Sequence, residues 1–341
     1  MAVRIIGTGS YVPDRIITND DLAGMVETND AWIRERTGIQ ARRITEAGTT
    51  DMAVRAAKQA VEKAGIAPEE IDLIIAGTST GDRLFPSTAC EVQAELGAAN
   101  AVCFDLSAAC SGFLFSLNTA RVYLESGAYR TALVIGADSL SKTVDWTDRT
   151  TCILFGDGAG AAVVRWDEAD AYEKKPAENP EKKRNGQERR QGGIGEFVMG
   201  SDGKKGDCLT CPSVNLRNMF VEGMPQGYMA MNGQEVFRFA VKTVPESIDA
   251  VLEKAGLTAE DIKYFVLHQA NERIIAAVAK RMKQPVWKFP MNLDRYGNTS
   301  GASIPILLDE LSRRGKLERG SRIVLAGFGA GLTWGATVIT W

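Results

Sequence analysis

The chain has 341 residues, of which 45% are hydrophobic and 24% charged, with a formal net charge of -3. That mix excludes a disordered or membrane-embedded chain, and the near-balanced charge supplies no general attraction to nucleic acid or to an anionic membrane. At about 150 residues per domain, the length predicts two domains or one large pseudo-repeated unit with room for a buried site.

The opening "MAVRIIGTGSYVP" lacks the charged start, long apolar stretch and small-residue cleavage site of a secretory signal, so a cytoplasmic protein is expected. No apolar run elsewhere approaches membrane-spanning length. Short Val/Ile/Leu-rich runs ("IDLIIAGT", "TALVIGAD", "YFVLHQ", "SRIVLAGFG") alternate with helix-period segments, which predicts an α/β fold with sheets buried on both faces. "VEKAGIAPEEIDLIIAG", from Val61, reads as helix, Gly turn, capping segment and strand, and the order returns in "LEKAGLTAEDIKYFVLH" from Leu252. "FGDGAGAAVVRW", ending at Trp166, returns in "FGAGLTWGATVITW", ending at Trp341. Matches kept in one order argue for duplicated halves, 1–171 and 194–341.

In the first half, "AVCFDLSAACSGFLFSLNTARVYLESG" predicts a strand, a tight turn of small residues and a largely apolar helix beginning near Cys110. A thiol at a helix N-terminus has its thiolate stabilised by free N–H groups and the helix dipole, which makes Cys110 the candidate nucleophile. Six cysteines in a chain this long do not form a disulfide framework. Cys103 and Cys152 lie inside strand-like runs and Cys90 in a helical pattern, where a small buried hydrophobe is the better reading. The stretch 172–193 is dense in charge, Pro and Gly and reads as a solvated linker or surface insertion; its interspersed acidic residues argue against a nucleic-acid arm. Cys208 and Cys211 form the sole C-x-x-C, without the further ligands of a structural zinc or the context of a thioredoxin-like site, so neither a metal nor a redox cofactor is expected.

The chain holds one histidine, so any step that needs an imidazole near neutral pH falls to His268. "FVLHQANERI" places it at the end of a buried strand and just before the helix "NERIIAAVAKRMK", where it can project into a cleft; a hydrogen-bonded core histidine is the alternative. The second-half counterpart of the Cys110 turn is "NLDRYGNTSGASIPILL", with Asn298 in the small-residue turn ahead of an apolar helix. Halves packed about a pseudo-twofold axis bring equivalent turns together, so that Cys110 faces Asn298 and His268, although "YGNTSG" alone is only a Gly/Asn turn. "GFGAGLTWGA" lacks the lysine and hydroxyl of a phosphate loop and runs into a strand, which leaves it suited to aiming a backbone N–H at a developing oxyanion.

Together "GTGSYVPDRIITNDDLA", "WIRERTGI", "FPSTAC", "DLSAACSGF", "TDRTTCILFGDGAGA", "HQANERI", "YGNTSGASIP" and "GFGAGLTWGA" resemble the β-ketoacyl-acyl-carrier-protein synthase III family, over nearly the whole chain outside the charged segment. The resemblance implies a thiolase-like five-layered αβαβα fold with two pseudo-repeated halves, a homodimer, and a triad of Cys110, His268 and Asn298. The implied activity is a decarboxylative Claisen condensation that initiates fatty acid biosynthesis. Cys110 takes an acyl group from a short acyl-CoA, acetyl-CoA first among the candidates. His268 and Asn298 then support the decarboxylation of malonyl-acyl-carrier protein (malonyl-ACP), with the backbone N–H groups of Cys110 and Ala330 as oxyanion hole and no metal or redox cofactor.

The resemblance also places Trp32, Arg36 and Arg149 at the adenine end of CoA, a flat ring suited to indole and guanidinium, although Trp32 equally fits the core of an amphipathic helix. Phe85 falls where the family closes its acyl pocket, often from across the dimer. Arg273, Lys280 and Arg281 share one helix face and, with Arg238, offer a basic patch to the acidic carrier protein; a plain solvated face is the alternative for Lys280 and Arg281. The insertion after Trp166 is longer and more charged than the family pattern. Two competing functions remain at this level: a ketosynthase or acyltransferase of secondary metabolism using another acyl-CoA or acceptor, and a Cys-His-Asn thioester hydrolase.

Overall fold

The Val/Ile/Leu-rich runs become strands covered on both faces, and the helix-period segments pack between and outside them. The computed structural model describes residues 2–167, 192–212 and 227–341. The first part of the chain runs β1 (Ala2–Tyr11), β2 (Ile16–Thr18), α1 (Asn19–Ala23), α2 (Asp30–Thr37), β3 (Ala41–Arg43), α3 (Thr49–Ala64), β4 (Leu73–Gly77), α4 (Thr88–Leu96), β5 (Val102–Leu106), α5 (Gly112–Glu125), β6 (Thr131–Ser139) and β7 (Asp157–Asp167). It continues with β8 (Gly193–Ser201), β9 (Leu209–Thr210), β10 (Ala230–Met231), α6 (Gly233–Ala255), β11 (Tyr264–Leu267), α7 (Glu272–Arg281), α8 (Leu293–Tyr296), α9 (Ser303–Arg313), β12 (Arg322–Gly329) and β13 (Thr333–Thr340). Of the predicted linker or insertion, residues 172–191 lie outside the described residues, and Gly193 already opens β8.

Two large sheets form among the described residues, in the orders β1-β7-β6-β4-β5 and β11-β12-β13-β8, beside the two-stranded pairs β2-β3 and β9-β10. Between them lie α5 and α9: Phe113, Leu114 and Leu117 of α5 and Ile304, Leu307 and Leu308 of α9 join Leu73, Ile75, Val266 and Leu325 in one apolar cluster. Full burial of each such Leu or Phe contributes about 1.5–3 kcal/mol. Outside the first sheet lies α3, whose buried Met52, Ala53, Ala56, Ala57 and Ala60 recur as a single stripe and which stops at left-handed Gly65. Outside the second lie α6 and α7, through Val236, Phe239, Ile248, Ile275 and Val278. The stack is therefore αβαβα, as expected.

The sequence repeat is a structural one. In the first sheet Gly77 pairs with Gly136, and Gly136 with Gly160. In the second, the β11–β12 register carries His268 to the level of Gly327, which pairs with Gly335. Gly160 and Gly335 each precede the closing Trp of their half, Trp166 and Trp341, by six residues. Two departures stand out. The matched "FG" pairs are not equivalent, because Phe155 and Gly156 precede β7 whereas Phe328 and Gly329 end β12. Among the described residues the second sheet also has no counterpart of β5, and short helical turns and α8 run up to Asn298 instead.

Candidate active site

After β5, small residues carry the chain into one turn of 3-10 helix, Ala109–Ser111, from which α5 continues. Ala109 holds a φ of 45°, a left-handed conformation that costs a residue with a Cβ about 1–2 kcal/mol. Cys110 follows it and is buried. Where the sequence predicts a thiolate stabilised by the start of α5, burial pushes the Cys110 thiol up to about 12. A hydrogen bond with the Ser300 side chain pulls the thiol the other way, and the Asp138 carboxylate adds to the rise.

The facing segment is 298–303. Asn298 donates its backbone N–H to the Leu154 carbonyl at 2.8 Å and accepts from the Gly156 N–H at 3.0 Å. Its side-chain Oδ1 accepts from the Ser300 N–H at 2.9 Å, which leaves Nδ2 as the donor end of the amide. Ser300, left-handed at a φ of 52°, brings its hydroxyl into hydrogen-bond contact with both the Cys110 thiol and the Asp138 carboxylate. Ala109 and Ser300 open equivalent turns, so the counterpart of Cys110 in the repeat is Gly301, and Asn298 stands three residues ahead of it. Asp138, fully buried at the end of β6, accepts from Ser79 N–H and the Thr80 hydroxyl, both at 2.9 Å, and from Gly301 N–H at 3.2 Å. This one carboxylate ties the strand ends of the first half to the turn of the second.

His268 lies just past β11 and is 2% exposed. Its Nδ1 is 2.7 Å from the Ser303 hydroxyl, and its ring meets Phe328 edge-on at 5.4 Å. Burial pushes the imidazole down to about 3, so it is neutral at physiological pH. It has the burial and hydrogen bond of a core histidine, yet β12 links it to the nucleophile. A Cβ on Gly327 would stand 3.4 Å from the His268 Cβ, and a Cβ on Gly329 would stand 2.8 Å from the Cys110 nitrogen. Ala330 follows immediately, and the Thr333 hydroxyl bonds to its carbonyl and to the Ser111 hydroxyl, both at 3.1 Å. The structure therefore gathers Cys110, His268, Asn298 and Ala330 around one segment and one strand end.

The outlying candidates are placed less tightly. Trp32 is half-buried on α2, with the guanidinium carbons of Arg36 and Arg149 at 4.8 and 5.4 Å from its ring centroid, so it is not a wholly buried core residue. Phe85 is 83% exposed within its own chain. Arg273, Lys280 and Arg281 are exposed along α7, but Arg281 pairs with Glu246 at 3.2 Å and Arg238 with Glu235 at 2.7 Å. Half of the predicted basic patch thus carries a local counter-charge. Asp138, Ser300, Ser303 and Thr333 went unnoticed in the sequence. The acid closing the apolar "TALVIGAD" and the two serines in "YGNTSGASIP" were the available signals.

Residues 104–175 match the 3-oxoacyl-[acyl-carrier-protein] synthase III family, and residues 252–341 match the C-terminal region of the same family. A β-ketoacyl-[acyl-carrier-protein] synthase III of Clostridium acetobutylicum is 48% identical, covering 100% of this chain and 99% of the relative. A solved structure of 3-oxoacyl-[acyl-carrier-protein] synthase III from Aquifex aeolicus is 43% identical, with a TM-score of 0.88 and 100% of both chains covered. The priming β-ketosynthase from the R1128 polyketide biosynthetic pathway is 37% identical, with a TM-score of 0.86 and 99% of this chain and 96% of that one covered. Likeness of this extent reaches every layer of the fold and both turns of the site, and the chain belongs to the β-ketoacyl-acyl-carrier-protein synthase III family.

Proposed function

We propose that this chain joins an acyl group from a short acyl-CoA to malonyl-ACP by decarboxylative condensation, the step that starts fatty acid synthesis. The observation that carries the reading is segment 298–303, which presents the donor end of Asn298, touches the Cys110 thiol through Ser300 and holds His268 through Ser303.

In the first half-reaction the Cys110 sulfur attacks the thioester carbonyl. A new S–C bond forms, the bond to the CoA sulfur breaks, and the thiol proton ends on CoA. Backbone N–H groups of Cys110 and Ala330 face the tetrahedral oxyanion, a role supported by the contact of Gly329 with the Cys110 turn. In the second, His268 and Asn298 donate hydrogen bonds to the thioester carbonyl of malonyl-ACP. The bond to the carboxylate breaks, CO2 leaves, and its electron pair becomes an enolate held by both donors. The enolate carbon attacks the acyl carbonyl on Cys110, which releases the sulfur to take up a proton. Both steps balance without a metal or a redox cofactor.

Trp32, Arg36 and Arg149 offer the adenine of CoA a stacking surface. Arg273 and Lys280, with Arg238 and Arg281 behind their glutamates, offer the carrier protein a basic face. A homodimer is supported by β5, an edge strand, and by exposed Leu84, Phe85 and Val102 near it, so Phe85 closes the partner's acyl pocket. Sedimentation at twice the chain mass is expected, and a monomer at micromolar concentration would contradict it. Both substrates are water-soluble, which fits a cytoplasmic enzyme, and no helix among the described residues is long and apolar enough to cross a membrane.

The test is turnover of acyl-CoA with malonyl-ACP. CO2 release and β-ketoacyl-ACP are expected, with acetyl-CoA used better than octanoyl-CoA. Acyl transfer without decarboxylation would sink the reading, and equal use of octanoyl-CoA its short-chain part. The likeness to the polyketide priming enzyme keeps a secondary pathway as the second reading, decided by which carrier protein is the better acceptor.

A further inference from the structure

Besides Cys110 and Gly301, the two halves differ at two equivalent positions that touch each other beside the site. In the first half, Gly77 ends the repeat "VEKAGIAPEEIDLIIAG", and a Cβ there would stand 2.6 Å from the backbone of Gly112, the first residue of α5. Strand end and helix start meet there backbone against backbone. In the second half, the repeat ends at His268, and the first residue of α9 is Ser303. Where the first half has two glycines, the second has an imidazole and a hydroxyl in contact at 2.7 Å.

The hydrogen-bond inventory of that hydroxyl decides which way the contact runs. Ser303 is 2% exposed, so its single O–H proton needs a partner inside the protein. The Gln269 N–H points at the Ser303 oxygen at 3.4 Å and takes up one of its lone pairs. Among the described residues, His268 Nδ1 is the acceptor in reach of the proton. An Nδ1 that accepts carries no hydrogen, and a neutral imidazole then bears its proton on Nε2.

We infer that Ser303 is a positioning residue that fixes the tautomer of His268, holding the proton on Nε2 so that the ring meets the substrate as a hydrogen-bond donor. This rests on the condensation reading above, in which His268 donates to the thioester carbonyl. A ring in the other tautomer would present a lone pair to that oxygen and repel it. Acyl transfer to Cys110 does not use the donor and is less affected.

Because His268 is the sole histidine, labelling with nitrogen-15 histidine gives a single imidazole to observe. Long-range proton–nitrogen correlation is expected to show the proton on Nε2 in the wild-type protein across the neutral pH range. In Ser303→Ala the proton is expected to move wholly or partly to Nδ1. Decarboxylation of malonyl-ACP should then fall about 10²-fold, the size of effect seen when one preorganised donor is lost, while acetylation of Cys110 changes less than about tenfold. Ser303→Thr, which keeps the hydroxyl, is expected to restore the tautomer and the decarboxylation. A wild-type ring protonated on Nδ1 overturns the inference, and so does a Ser303→Ala protein with unchanged tautomer and unchanged decarboxylation. The wild-type spectrum decides alone if the alanine variant does not fold. A protein with Nε2 protonated but no condensation would instead remove the functional reading and leave the tautomer assignment standing.

Discussion

Cys110 is a neutral thiol and His268 a neutral imidazole, because burial raises the first to about 12 and lowers the second to about 3. A pre-formed thiolate–imidazolium pair would need both shifts reversed. Alkylation of Cys110 by iodoacetamide, followed on its own peptide by mass spectrometry, should therefore keep accelerating with pH well past the range of an ordinary cysteine. A plateau below neutral pH would show an ion pair and contradict the account. At this scale the sequence was informative where composition was scarce: a single histidine and a cysteine at a predicted helix start were both readable. Asp138 and the two serines were not, since the importance of Asp138 and Ser300 lies in what they touch across the interface between halves and that of Ser303 in His268, 35 residues away in the chain.

Segment 298–303 and the end of β12 together assemble the site. Gly329 leaves no room for a side chain against the Cys110 turn. Gly329→Ala should push that turn aside and slow acylation of Cys110 about 10²-fold, the loss expected from a displacement of roughly 1 Å at reacting atoms. Secondary structure measured by circular dichroism should be unchanged. An unaltered acylation rate would mean that β12 does not position the nucleophile. Strands and helices of both halves followed from hydrophobic periodicity, because each is buried on the faces the pattern marks. The turns did not. Left-handed Ala109 and Ser300 leave no trace in residue type, so the sequence matched the two turns without showing that Gly301 is the residue equivalent to Cys110.

Across the whole molecule, duplication explains how one chain builds an asymmetric site from two similar halves. The repeat was legible because Gly160 and Gly335, and Trp166 and Trp341, keep their spacing under the demands of the same close-packed strands. That the described residues hold no counterpart of β5 was not legible, since the run up to Asn298 has no sharp break in composition. The free edge of β5 and the exposure of Phe85 are likewise properties of the assembled sheet rather than of the local sequence. The central claim is that Cys110 stores an acyl group until a carbon nucleophile arrives. Its most direct test is the mass of the Cys110 peptide after incubation with acetyl-CoA and again after addition of malonyl-ACP. The account predicts a stable acetyl adduct that disappears on the second addition with one CO2 released for each adduct lost. An adduct that never accumulates, or that decays to acetate without CO2, would contradict it.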